Sequence, residues 1–270
     1  MKKILLATTI LAASTGFAAA DITWGASAAG GIASQAGGAF ETYSSANLAV
    51  TMAGTSDSGL TFGATFDVTV GRSYTLGDGD DFADEGGFDP MPTVFIEGSF
   101  GKLAISDDNY DFYDDTNGGG DVEYTGTFGD ISVGMIADVD TNEASVKVGY
   151  TAGAIAVNAN MDTYELWNVD ATYTMGSIAI TAATDESSNS SIKVAYSANG
   201  ISASAQYNTS DESIDVAAGY SANGLSINAD TNTVSNAWTV TGGYDLGGGL
   251  AIAVGTNYTE DLMVGATMAF

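Results

Sequence analysis

Carboxylates dominate the chemistry open to this chain. Asp and Glu number 34 against six Lys and Arg, with no His and no Cys. Without imidazole or thiol there is no His-based triad, no thiolate nucleophile and no zinc pair of the usual kind. Ser and Thr are abundant, but none stands with a base that could activate it, so the expectation is that the chain is not an enzyme. The acids are clustered: thirteen lie between Asp78 and Asp121, with Lys102 the one base among them. Asp78, Asp80 and Asp81 form one knot, and Asp107, Asp108, Asp111, Asp114 and Asp115 another. Such runs can do two things. They can focus an electric field that gathers cations at an opening, or they can hold a hard cation through oxygen ligands. Asp78, Asp80 and Asp81 are the candidates for calcium, although they lack the Gly and Glu positions of the helix–loop–helix calcium motif; no other cofactor is expected.

The N-terminus carries two of the six bases. Met1-Lys2-Lys3, an apolar stretch from Ile4 to Phe17 and Ala18-Ala19-Ala20 read as a signal peptide over residues 1–20, cleaved before Asp21. Beyond it only Arg72, Lys102, Lys147 and Lys193 oppose the 34 acids. A nucleic-acid backbone would be repelled by that balance, so no nucleic-acid partner is expected.

What positions these residues is a period of two. Trp238, Val240, Gly242 and Tyr244 alternate with Thr239, Thr241 and Gly243, and the segment Leu262–Phe270 alternates in the same way. Side chains on a strand point to opposite faces in turn, so each segment has one apolar face and one polar or tiny one. Tyr150, Tyr173, Tyr196, Tyr220 and Tyr244 recur every 23 or 24 residues, each just before a turn. This is a repeated β-hairpin. Counting in this way gives 16 to 18 strands, with longer insertions at Gly31–Tyr43, Arg72–Met91 and Asp108–Gly120.

The face opposite the apolar one holds Ala, Gly, Ser, Thr, Asn and occasional charges. Lys147, Lys193 and Asp215 fall there, while Ile192, Val194, Trp238, Val240 and Met268 fall on the apolar face. One face fits lipid and the other fits water. Strands can span a bilayer only as a closed barrel, because an open edge would leave backbone groups unsatisfied. The expected fold is therefore all-β: a closed antiparallel transmembrane β-barrel over residues 21–270 with short periplasmic turns. Its expected role is a water-filled diffusion channel, cation-preferring, with Arg72, Lys147, Lys193, Asp215 and the Asp107–Asp115 cluster as pore candidates. The alternative is a secreted acidic surface or adhesin protein that binds divalent cations.

The chain also resembles the Gram-negative general porins of the Rhodobacter capsulatus (alphaproteobacterial) type. The likeness rests on Val50-Thr-Met-Ala-Gly-Thr-Ser-Asp-Ser-Gly-Leu-Thr-Phe-Gly63, on Val94-Phe-Ile-Glu-Gly-Ser-Phe-Gly-Lys-Leu103, on Tyr244-Asp-Leu-Gly-Gly-Gly249 and on the last strand ending in Phe270. The resemblance implies a homotrimer of 16-stranded barrels in the outer membrane, surrounded by lipid and lipopolysaccharide and passing small hydrophilic solutes. It implies that Phe270 is a terminal signal for the β-barrel assembly machinery, and that a third loop folds inward. Two departures stand out: Asp108–Gly120 is far shorter than that loop in the family, and four bases are too few for the family's basic wall cluster.

Overall fold

The computed structural model describes residues 21–76, 82–88, 91–113 and 119–270. The strands begin with β1 Asp21–Ser34, β2 Glu41–Thr55, β3 Thr61–Tyr74, β4 Phe82–Phe88, β5 Thr93–Gly98 and β6 Gly101–Asp111. They continue with β7 Gly119–Phe128, β8 Ile131–Ala137, β9 Ala144–Ala152, β10 Ile155–Asp162, β11 Trp167–Met175 and β12 Ile178–Asp185. The last are β13 Ser190–Ala198, β14 Ile201–Asn208, β15 Ile214–Ala222, β16 Leu225–Asn232, β17 Trp238–Gly247, β18 Leu250–Asn257 and β19 Leu262–Ala269.

These strands pair antiparallel around a ring. β4 and β5 share one position, since β4 pairs with the upper half of β3 and β5 with its lower half. The ring therefore has 18 strand positions, the upper of the two counts read from the repeat. It closes where β1 pairs with β2 on one side and with β19 on the other. Strands spaced about 4.8 Å apart and tilted about 40° make such a ring about 35 Å across, too wide for wall side chains to fill. The seam is fastened at both ends. Phe270 donates its backbone N–H to the Ala26 carbonyl at 2.8 Å. At the other end the buried Asp261 carboxylate accepts the Ala36 N–H at 2.6 Å, tying the last loop to the first.

One end carries two-residue turns, as at residues 129–130, 153–154 and 176–177. Asn199-Gly200 and Asn223-Gly224 both sit at positive φ, as the hairpin turns that match strand twist require. The five repeating Tyr lie just before these turns, and each is exposed on the outer face. Trp167, Tyr207 and Trp238 lie near the opposite, loop end. Two aromatic belts thus flank an apolar band, as rings with one wet tip require at two membrane surfaces.

Cross-strand register separates the faces as the alternation predicts. Lys147 stands opposite Gly134 on one side and Asn160 on the other, and Lys193 opposite Thr181 and Gln206. Val194 stands opposite Ile180 and Ala205 in an outward row. Strand ends are where the sequence reading falls short. β1 runs on to Ser34, β2 starts at Glu41, β3 reaches Tyr74, and β6 reaches Asp111 with β7 starting at Gly119. Asp108 and Asp111, read as part of the Asp108–Gly120 insertion, therefore lie on the same strand as Asp107. Strands that project beyond the apolar band need no apolar face, so the alternation lapses while the strand runs on, in β6 through a register shift between Ile105 and Tyr110 that holds Asp107 and Asp108.

An Arg at Val194, mid-strand on the outer face, should cost about 2–4 kcal/mol and lower the yield of membrane-inserted protein. Ala195→Arg, one residue along and facing inward, should insert normally. The fraction resisting dissociation on an unheated detergent gel measures both.

Candidate pore and its wall charges

All four bases beyond residue 20 reach the inner face, but not at one place. Arg72 sits at the loop end of β3. Its guanidinium bonds the Glu41 carboxylate at 2.8 Å, lies 3.8 Å from Asp84 and stacks 4.3 Å from the Phe82 ring centre. Gly71, at φ 109°, precedes it; past this residue the side chains of Arg72 and Tyr74 turn to meet the inward-facing Glu41 and Tyr43. Lys193 lies in a separate recess of about 210 Å³ with Gln206, Asp215 and Asp230. Asp215 there accepts amide hydrogens from Asn208 at 2.7 Å and Asn232 at 2.6 Å, which fix the carboxylate on the wall. Lys147 gathers with Lys102 and Glu97 on a third stretch of wall. Arg72, Lys147 and Lys193, a possible joint constriction in sequence, are thus held apart by the fold.

Two inserts fold into the ring, from opposite walls. On one side Tyr43, Tyr74 and Ala33 form a buried cluster with Leu76, Phe82 and Met263 against it. The Tyr43 and Tyr74 rings are 5.8 Å apart, and those of Tyr74 and Phe82 are 4.7 Å apart. This cluster rests on bare backbone: a Cβ at Gly31 or Gly265 would strike the Tyr43 hydroxyl, and one at Gly255 would strike Leu76. On the other side Phe112 is buried and Tyr113 lies across Gly134, where any Cβ would collide with its phenol. Tyr113 is pinned through its backbone. Its N–H donates to Ser145 Oγ at 3.2 Å, and its carbonyl accepts Asn160 Nδ2 at 2.7 Å. Burial, and then the charge of Glu123, push the Tyr113 phenol above its ordinary pKa. The seats run over β8 to β10 on one side and over β18, β19 and β1 on the other, and their middle strands, β9 and β19, are ten positions apart one way round the ring of 18 and eight the other. The inserts therefore narrow the passage from facing sides, whereas the family resemblance implied one inward loop.

From β8 onward the loop end stays low. Asp138, Asp162, Asp185, Asn232 and Asn257 each close a strand and accept backbone N–H groups within the next few residues. These side-chain turns hold the loops to a few residues. Asp138 is held below the usual carboxylate range by the Thr141 N–H and then the Thr141 hydroxyl. A lowered pKa means that its hold on the loop is complete at neutral pH and is lost as pH falls through that lowered value.

The remaining sequence candidates divide plainly. Asp107 and Asp111 are exposed near the loop end of β6, and Asp108 lies in the same strand. Asp78, Asp80, Asp81, Asp114 and Asp115 lie outside the described residues. Among the described residues no group of three or more acids converges as a metal site would require. Sequence reasoning missed Tyr43, Tyr74, Phe82 and Tyr113. Their signal was available in part, as Gly at inward register on the strands they cover.

No family model matches the chain, and no curated protein matches it. Solved structures do. A triple mutant of Rhodopseudomonas blastica porin aligns with a TM-score of 0.57 at 11% identity, covering 93% of this chain and 100% of that one. A porin refined at 1.8 Å aligns at 0.52 with 17% identity, over 93% of this chain and 100% of that one. An anion-selective porin from Comamonas acidovorans aligns at 0.50 with 14% identity and the same coverage. The fold is that of the bacterial porins. At such identities the likeness speaks for architecture, and the chemistry of the lumen is this chain's own.

Gly134→Val should push Tyr113 off the wall. Because the ring is pinned by its backbone on both sides, the displacement goes toward the lumen, and single-channel conductance should fall. Tyr113→Ala should raise it.

Proposed function

We propose that this protein is a passive, water-filled diffusion channel for small hydrophilic solutes and ions in the outer membrane of a Gram-negative bacterium, and that it prefers cations. The observation that carries the reading is the closed ring of 18 strand positions with an apolar outer face and a polar inner one. Such a ring satisfies its backbone within hydrocarbon and leaves a wet interior. Residues 1–20 serve as the export signal, Phe270 as the terminal mark for the assembly machinery, and lipid and lipopolysaccharide surround the barrel as a homotrimer.

Cation preference rests on charge. Asp67, Glu97, Glu123, Asp170, Asp215 and Asp230 share the inner register with Lys102, Lys147 and Lys193. Asp107 and Asp111 add to the field at the loop end. A low-dielectric wall lined by one excess sign raises the local concentration of the opposite ion.

Reversal potential across a planar bilayer under a KCl gradient tests this. Native protein should favour potassium at 0.1 M, where the Debye length is about 10 Å. Asn in place of Asp107, Asp108, Asp111, Asp114 and Asp115 should weaken the preference there and change little at 1 M, where charges at the mouth are screened within about 3 Å. Asn at Asp170, Asp215 and Asp230 should weaken it at both salts. Native anion preference would refute the electrostatic reading.

A further inference from the structure

The wall beneath Tyr113 is unlike the rest of the lumen. Lys102, Thr125, Gly134 and Lys147 form one continuous inward row across β6, β7, β8 and β9. Three strand spacings separate the two Lys, about 14 Å between their backbones. Between them lies a recess of about 510 Å³, lined among others by Glu97, Thr125, Ser132 and Tyr113. Its floor is low because Gly134 has no side chain, and its upper rim is the Tyr113 ring, with the Lys147 ammonium 5.7 Å from the ring centre. At the other end the Lys102 ammonium stands 4.9 Å from the Phe95 ring. Among the described residues both ion pairs within 4.0 Å belong to Arg72, so neither Lys of the recess is closed off by a neighbouring carboxylate at that distance.

We propose that this recess is a binding site for small extended dicarboxylates, which it draws through a lumen otherwise biased against anions. The inference rests on the channel reading above. Two ammonium groups on flexible four-carbon stems can close the gap of about 14 Å between their backbones and meet the two acid groups of one short ligand. The hydroxyls of Thr125 and Ser132 between them suit an uncharged, hydrogen-bonding middle. Glu97, the cross-strand neighbour of Lys102, is the counterweight. With it the lining side chains sum to one positive charge, and Glu123, whose charge reaches the Tyr113 phenol at the rim, offsets it there. That favours a ligand whose charge is spread along its length over a compact trivalent or phosphate-like anion, which would meet Glu97 at close range. Lysine ammonium groups on flexible stems bind as point charges in wet surroundings, so affinity is low and release is fast, as passage requires.

The test uses purified full-length protein in liposomes, with labelled succinate as the probe and neutral erythritol as the reference solute. Succinate flux should saturate with concentration and be competed by unlabelled succinate, while erythritol flux rises linearly. Lys102→Gln together with Lys147→Gln should lower the succinate-to-erythritol flux ratio about tenfold, the expected sum of two solvated charge contacts. Lys193→Gln removes the same charge from another wall and should shift the ratio much less. An equal fall in Lys193→Gln would make the effect one of overall charge and overturn the site. So would linear succinate flux, or an unchanged ratio in the double variant, while erythritol still crosses. If neither solute crosses, the channel reading itself falls, and the site with it.

Discussion

Backbone hydrogen bonding in hydrocarbon is the constraint from which the rest of this molecule follows. Each N–H and C=O inside the apolar band must find a partner in the chain, since lipid offers none. For strands that demands closure, and closure here depends on a seam between the first and last strands. The seam joins the first strand to the last, so no turn or short loop brings its two sides together. β1 and β19 are far apart in the chain, and loop-closure entropy opposes their meeting. Two local devices offset this. At the turn end Phe270 continues the ladder past the last strand to Ala26. At the loop end Asp261, almost wholly buried, holds the Ala36 N–H, the Asn257 amide at 2.6 Å and the Thr259 hydroxyl at 2.7 Å. A carboxylate that replaces its water with three donors loses little by burial and gains a fixed geometry.

Once the ring is closed at 18 positions, its width becomes the next problem, because wall side chains cannot fill it. The chain narrows it by laying large side chains, most of them aromatic, over glycines. Tyr43 over Gly31 and Gly265, Leu76 over Gly255 and Tyr113 over Gly134 repeat one arrangement at opposite walls. A bare backbone lets a ring approach to van der Waals contact, where dispersion is collectively large. Small wall residues thus have a second use beyond leaving room for water. They are the seats on which inward segments rest.

The sequence makes the wall legible and the inserts illegible, for one physical reason. Alternation is imposed wherever one face meets lipid, so Val194, Trp238, Lys193 and Asp215 declare their sides without any structure. Tyr at intervals of 23 or 24 residues declares the hairpins. Inside the lumen no such rule operates. Tyr43, Tyr74 and Phe82 meet from segments separated by turns and a loop, and nothing local marks them as partners. Gly71, where φ reaches 109°, is a further case: past it the inward side is taken by Arg72 and Tyr74, against strict period two. The acid clusters misled in the same way. Asp108 and Asp111 look like a loop because they lack an apolar face, yet they continue β6 past Asp107, where the strand has left the membrane band.

Selectivity is the property least tied to the fold. The Comamonas acidovorans neighbour is anion-selective and shares this architecture over 93% of the present chain. At 14% identity that likeness carries the ring and not the side chains on its inner face. What decides is the order of charges along the inner rows, and here that order is uneven. Lys193 faces Gln206 and Asp215, and Arg72 is bonded to Glu41, so these two bases sit within acidic surroundings. Lys102 and Lys147 instead flank a recess whose floor is glycine and hydroxyl, with Glu97 at one end. Field lines from the acids elsewhere are screened over about 8 Å at physiological ionic strength, less than the spacing between these walls. On the channel reading proposed above, a lumen with an overall negative bias keeps in this way one stretch whose lining charges are positive in sum, and solutes of either charge meet different walls of the same passage.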